Sequence, residues 1–261
     1  MTQPGATQLR HDRLVTNVLP DRAAMGAAAA EHAAGRLRTI LSTSDRARVI
    51  FAAAASQAEF LDALAEADGI DWSRIVAFHL DEYVGLPLGD PRSFGQWLED
   101  RIWSRVRPGR IEKLDGAAAA QDAGAECARY GELISSGGID LALIGIGENG
   151  HLAFNDPHVA DFEDPLVVKV VEIDDTSRRQ QVRDGAFPTF DAVPRLAMTV
   201  TMSAILASRA VSVVVPGAQK AAAVAATLQG PISTACPASG LRRHPDAVMF
   251  VDEAAISGVV P

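Results

Sequence analysis

A chain of 261 residues, 48% hydrophobic and 22% charged with mean hydropathy +0.09, has enough apolar material for a substantial buried core and excludes a disordered or fibrous protein. A formal net charge of −9 and a pI near 5.1 argue against nucleic acid as a partner, which calls for a basic face. Two cysteines, Cys127 and Cys236, without metal-ligand spacing, no apolar signal segment and no run of about 18 apolar residues predict a reduced, cytoplasmic protein that spans no membrane.

The first thirteen residues are polar and read as flexible. The alanine-rich run from Asp21 to Leu41 predicts a long helix. Arg48 to Ala53 is a short apolar strand, and Ser56 to Glu59 reads as a capping box opening a helix from Glu59 to Ala67. The rhythm continues with strand Ile75 to Leu80, helices Ser93 to Val106 and Asp122 to Ile134, and strand Leu141 to Ile146. Strand Leu166 to Ile173, polar helix Asp175 to Arg183, strand Ala210 to Val215, helix Ala218 to Leu228 and strand Ala247 to Val251 complete it. Continuous apolar strands alternating with helices predict an α/β fold, a single domain over residues 1–261. Its core is an open, doubly wound, mostly parallel sheet with helices on both faces, Rossmann-like in architecture. Ligands in such sheets bind at the carboxyl ends of strands.

Two motifs sit at strand ends. Leu143 to Pro157, L-I-G-I-G-E-N-G-H-L-A-F-N-D-P, runs from a strand into a glycine-rich loop carrying His151, Asn149 and Asp156. A histidine after a tight turn beside a carboxylate suits proton transfer, whereas a lone histidine is more often a core residue. Gly145, Gly147 and Gly150 match a dinucleotide fingerprint, with Glu172 at the distance of a ribose acid. Two prolines and no helical period follow, so a dinucleotide is not expected. The second motif, Phe78 to Leu86, ends a strand in Asp81 and Glu82, followed by Tyr83 and Gly85. One of two adjacent carboxylates at such an end faces the crevice, where desolvation lifts it toward the range of a general base. Lys220 lies in the first turn of a helix, unfavourable for a cation unless an anion joins it. Arg178 and Arg179 are further phosphate candidates, a solvated helix face being their alternative.

Taken together, F-H-L-D-E-Y-V-G-L at 78–86, A-E-C-A-R-Y at 125–130, I-G-I-G-E-N-G-H-L-A-F-N-D-P at 144–157, T-S-R at 176–178, P-G-A-Q-K-A at 216–221 and H-P-D-A-V at 244–248 resemble the glucosamine-6-phosphate deaminases, also called isomerases. That group is related to the 6-phosphogluconolactonases, which typically carry Asp-Glu-Arg where this chain has Asp81-Glu82-Tyr83. The resemblance implies an enzyme converting an amino-sugar phosphate, foremost glucosamine 6-phosphate, to a ketose phosphate and ammonia with no metal or organic cofactor. It gives His151, with Asn149 and Asp156, the opening of the sugar ring, and Asp81 the transfer of a proton from carbon 2 to carbon 1. Lys220, Arg178 and Ser56 would hold the phosphate, with Glu82 and Gly147 completing the substrate-binding set. The chain departs from the family's usual Thr-Gly-Ser-Thr-Pro phosphate loop, having Ala53-Ala54-Ala55-Ser56-Gln57, and has Asp156 where Glu is more usual. Residues 158–168 carry no Lys or Arg and imply no second phosphate site there; residues 158–190 read as a lid. Alternatives are another phosphosugar such as galactosamine 6-phosphate, lactone hydrolysis with His151 as base, or a sensor that binds a sugar phosphate without turnover. A small-molecule partner is expected, and the chain's self-association is left open.

Overall fold

The computed structural model describes residues 7–260. Strands β1 (Thr7–His11) and β2 (Leu14–Leu19) pair antiparallel around a turn in which Asp12 takes φ 51. Residues 7–13, expected to be flexible, are therefore mostly sheet, while residues 1–6 lie outside the described part. The polar strand β1 has no apolar face of its own, and its order comes from β2, whose Leu14, Thr16 and Leu19 are buried.

Asp21 caps helix α1 (Arg22–Thr43), its side chain accepting the Ala24 N–H at 2.8 Å. Strand β3 (Ala47–Phe51) leads to a 3-10 turn, Ala55–Gln57, and helix α2 (Ala58–Ala65). The expected capping box does not form, because Ser56 lies inside that turn and Glu59 pairs with Arg22 at 2.6 Å. Strand β4 (Ile75–His79) is followed at once by β5 (Asp81–Tyr83). The helix predicted over 93–106 is one run in three pieces: α3 (Phe94–Leu98), a π turn over Glu99–Trp103 and α4 (Ser104–Val106). After β6 (Arg110–Ile111), helix α5 (Gly116–Ser135) begins earlier than expected. Asp115 caps it, and it kinks at Asp122 (φ −151, ψ 93), the predicted start.

Then come β7 (Leu141–Ile144), β8 (Val168–Glu172), α6 (Asp175–Arg183), β9 (Leu196–Val200), α7 (Met202–Leu206), β10 (Ala210–Val215), α8 (Ala221–Gln229), β11 (Ala247–Asp252) and α9 (Glu253–Ile256). The large sheet has the order β1-β2-β11-β10-β7-β3-β4-β6, parallel from β2 onward. Neighbouring residues of β3 point to opposite faces, Phe51 into one apolar core with Phe60 and Trp103, Ile50 into another with Phe78 and Tyr130.

Strand β8, expected in the parallel sheet, instead belongs to a separate antiparallel sheet of order β5-β9-β8. Its half-exposed residues Lys169, Val170 and Glu172 suit a sheet open to water on one side, unlike the wholly buried parallel strands β7 and β10. The chain passes between sheets at Leu80, whose N–H donates to Phe51 of β3 at 3.2 Å and whose carbonyl accepts from Val200 of β9 at 2.8 Å. Gly116 closes the far side of this crossing, because a Cβ there would stand 2.3 Å from the Tyr83 carbonyl and 2.4 Å from that of Leu86. Gly116→Ala is expected to lower stability by about 2–3 kcal/mol through overpacking against backbone, read as the urea midpoint at constant m. An unchanged midpoint would show that the turn yields.

Candidate active site

Strand β7 lies between β10 and β3, and strand order reverses there. The carboxyl ends of β3, β4, β7 and β10 surround a cavity at this point. Asp81, His151, Gly147, Ser56 and Lys220 line it, with Phe94 and Phe154 as apolar wall. Asn149 and Asp156 stand behind His151 rather than at the cavity surface. Glu82 and Arg178 do not line it. Arg179 faces solvent, its side chain 61% exposed.

The loop after β7 is shaped around one imidazole. Gly147 donates its N–H to the His151 carbonyl at 2.9 Å, and a Cβ on Gly147 would fall 2.1 Å from the ring. Gly150 takes φ +83 and lies against Cys236. Asn155 pins the loop to β9 by donating to the Val200 carbonyl at 2.8 Å. The Asn149 amide is oriented unambiguously, since its Nδ2 donates to Asp156 at 2.9 Å and its Oδ1 accepts the His151 backbone N–H at 3.1 Å. That same Oδ1 lies 2.7 Å from His151 Nδ1, so Nδ1 carries the proton and Nε2 is left as the acceptor. Asp156 Oδ1 stands 3.1 Å from Nδ1 and accepts from Ser177 Oγ at 2.6 Å, while Oδ2 accepts the Asp174 N–H at 3.0 Å. Burial alone would raise the Asp156 carboxyl, but His151, Asn149 and Ser177 outweigh it and hold it at about 2. Ser177, fully buried and 3.0 Å from Nδ1, was not singled out from sequence. Its only signal was its place in T-S-R.

The two carboxylates after β4 separate by strand alternation. Asp81 reaches the cavity wall, and burial, then the nearby Glu82, pushes its carboxyl well above the ordinary range. Glu82 points the other way and accepts the N–H groups of Tyr83 (3.0 Å), Phe94 (3.2 Å) and Gly95 (3.0 Å). Burial raises it to about 7 against the pull of those donors. The expectation that Glu82 binds substrate is therefore corrected: its carboxylate is occupied at the start of α3.

Lys220 ends a 3-10 turn after β10 and is only 3% exposed. Its Nζ meets Gln180 Oε1 at 3.4 Å, a weak return for a buried ammonium, and burial lowers its pKa. A buried cation so placed favours an anionic ligand. Gln57, Gln180 and Gln181 also line the cavity, amides that sequence reasoning passed over inside polar segments. Arg178 does not join them. Its guanidinium donates to the carbonyls of Phe190 (2.9 Å) and Val193 (3.1 Å) and stacks on the Phe190 ring at 3.9 Å, so the expected phosphate contact is corrected. None of residues 53–57 has positive φ, so the alanines there are unstrained where the family more often carries glycine. Among the described residues no cluster of three His, Cys, Asp or Glu could hold a metal.

Two outcomes follow from these arrangements. At a pH where the ring is neutral, ¹⁵N spectra should show His151 as the Nδ1–H tautomer; the Nε2–H form would contradict the network. The carboxyls of Glu82, Asp81 and Asp156 couple stability to pH in opposite senses. Glu82 and Asp81 bind protons more readily in the folded chain; the contribution of Glu82 is lost as pH rises through about 7, and that of Asp81 falls in the same direction. Asp156, at about 2 rather than 3.8, contributes about 2 kcal/mol above its unfolded value and loses it as pH falls through about 2. Urea midpoints from pH 8 to pH 2 check this, with Glu82→Gln expected to flatten the alkaline arm.

The family model described as glucosamine-6-phosphate isomerases/6-phosphogluconolactonase matches residues 20–250. A glucosamine-6-phosphate deaminase of Arthrobacter sp. (strain FB24) is 35% identical over 250 residues, covering 93% of this chain and 91% of that one. Its namesake from Listeria monocytogenes serovar 1/2a is 34% identical over 215 residues, 82% of this chain and 89% of the other. Among solved structures, a monomeric glucosamine-6-phosphate deaminase superposes with TM-score 0.85 at 30% identity, covering 94% of this chain and 99% of that one. A 6-phosphogluconolactonase from Thermotoga maritima superposes with TM-score 0.74 at 22% identity over 92% and 100% of the chains, which shows the shared fold. With both loop motifs inside the matched region and relatives aligned over most of their length, the chain belongs to the family of glucosamine-6-phosphate isomerases and 6-phosphogluconolactonases.

Proposed function

We propose that this chain converts glucosamine 6-phosphate and water to fructose 6-phosphate and ammonia. One observation carries the reading: a single cavity holds a buried carboxyl, Asp81, an imidazole with its Nε2 left as acceptor, His151, and a buried ammonium, Lys220. Lactone hydrolysis needs one base. Moving a hydrogen between adjacent carbons needs a second, and Asp81 supplies it.

The steps follow from these groups. Nε2 of His151 takes the proton of the anomeric hydroxyl and returns it to the ring oxygen, opening the sugar. Asp156 and Asn149 stabilise the imidazolium that forms in between, since both face Nδ1–H. The Asp81 carboxylate then takes the carbon 2 proton while the substrate's 2-ammonium passes a proton to the carbonyl oxygen, giving an enolamine, and Asp81 delivers its proton to carbon 1, giving the protonated 2-imine. Burial makes Asp81 a stronger base than an ordinary carboxylate, which suits a weak carbon acid. Water adds to the imine and ammonia leaves, so atoms balance without an oxidant. Lys220, with the Ser56 hydroxyl inside the 55–57 turn, is the support for the phosphate; Arg178, held by Phe190 and Val193, is not part of it. Gly147 admits the imidazole, since a Cβ there would collide with the ring.

The test is ammonia release from glucosamine 6-phosphate, with galactosamine 6-phosphate and 6-phosphogluconolactone in parallel. Release from the first is expected; hydrolysis of the lactone alone would overturn the reading. Asp81→Asn should lower kcat by about 10³-fold or more while a non-reactive open-chain analogue still binds, and Lys220→Ala should raise KM about tenfold or more. An Asp81→Asn enzyme of near-normal rate would remove Asp81 from its role.

A further inference from the structure

His79 and Tyr130 fall in the two motifs F-H-L-D-E-Y and A-E-C-A-R-Y, and neither lines the cavity. His79 is 0% exposed and lies just before the crossing at Leu80. Strand β3 flanks His79 on one side through Phe51, but β6 pairs β4 only at Val76 and Ala77, so on that other side no strand continues beside His79. The Tyr130 hydroxyl fills that place, accepting the His79 N–H at 2.9 Å and meeting its carbonyl at 2.9 Å.

Beyond the crossing a second edge is open. The Leu80 carbonyl accepts from Val200 of β9, and successive carbonyls of a strand alternate, so that of Asp81 faces away from β9. The His79 ring reaches it instead, with Nδ1 at 2.9 Å from the Asp81 oxygen. The other ring nitrogen, Nε2, accepts the Leu114 N–H at 2.9 Å, so Nδ1 must carry the proton and donate. Protonating the ring would set two donors against each other at Leu114; burial holds the imidazole neutral, its pKa down to about 3. Edge contacts with Trp103 and Tyr130 leave the ring one orientation.

We infer that His79 is a positioning residue: its Nδ1–H replaces the missing neighbour strand at the Asp81 carbonyl and thereby aims the Asp81 carboxylate from the sheet crossing into the cavity. The inference rests on the proposed role of Asp81. Geometry at this point is expensive to lose, since an ångström of misplacement lowers a rate by about 10²-fold.

Two substitutions separate the ring's hydrogen bonds. Asparagine can place an N–H near the position of Nδ1 and keep the Asp81 contact, whereas glutamine can place an oxygen near Nε2 and keep only the Leu114 contact. His79→Gln is expected to lower kcat about tenfold or more with KM within about twofold; His79→Asn should recover to within about threefold. A His79→Gln enzyme of wild-type kcat, or equal losses in both variants, would overturn the assignment. The Asp81 carboxyl titration by ¹³C NMR decides it without turnover: displaced in the Gln variant and native in the Asn variant supports it, native in both refutes it. A wild-type chain that releases no ammonia would sink the functional reading alone. If the His79 variants do not fold, ¹⁵N spectra of the wild-type chain serve: an Nδ1–H ring at His79 supports the assignment and an Nε2–H ring refutes it.

Discussion

Burying charge is the constraint on which this site depends. Asp81, Asp156 and Lys220 are each less than a tenth exposed, and an isolated ion so placed would be strongly destabilising. The fold treats each differently. Asp156 is surrounded by donors, from Asn149, Ser177, Asp174 and His151, and stays ionised. Asp81 is given burial and a neighbouring carboxylate instead, which makes it ready to accept a proton. Lys220 is left with one long contact, so the strongest interaction open to it is with an arriving anion. Three buried groups thus have three chemical characters, set by neighbours alone.

Those neighbours come from distant parts of the chain. Asp156 joins the loop after β7 to the start of α6, so the imidazole is tied to the element that also carries Gln180 and Gln181. Asp81 depends on β9 through the backbone of Leu80, on α5 through Tyr130 and on the loop at Leu114 through His79. Small residues make the convergence sterically feasible. Gly147 admits the imidazole, and Gly116 lets α5 begin against the carbonyls of Tyr83 and Leu86. In both places a methyl group would occupy space already filled, so absence of a side chain matters more than backbone freedom.

Much of the large sheet was legible because apolar runs such as Ala210–Val215 and Leu141–Ile144 allow little besides a buried strand. The three-stranded sheet was not. Asp81–Tyr83 is too short for a periodic signal, Leu196–Val200 was not read as a strand, and Val168–Glu172 was read as parallel. Pairing partners decide these, and pairing is a long-range property. The hairpin of β1 and β2 escaped for the same reason, its first strand being ordered only by its second.

The candidate site shows the same division. Residue type and position singled out Asp81, His151, Asn149, Asp156 and Lys220 as candidates at strand or helix ends, each beside a structural alternative, and the family resemblance added Ser56 and Gly147. Sequence could not tell that Glu82 faces the amides of Phe94 and Gly95, that Arg178 stacks on Phe190, or that Ser177 completes the contacts of Asp156. Residue type and spacing determine what chemistry a side chain is able to do. Which groups share one desolvated space, and so which proton sits on which atom, is decided only when segments over a hundred residues apart are packed together, because electrostatics and hydrogen bonding act over ångströms rather than along the chain.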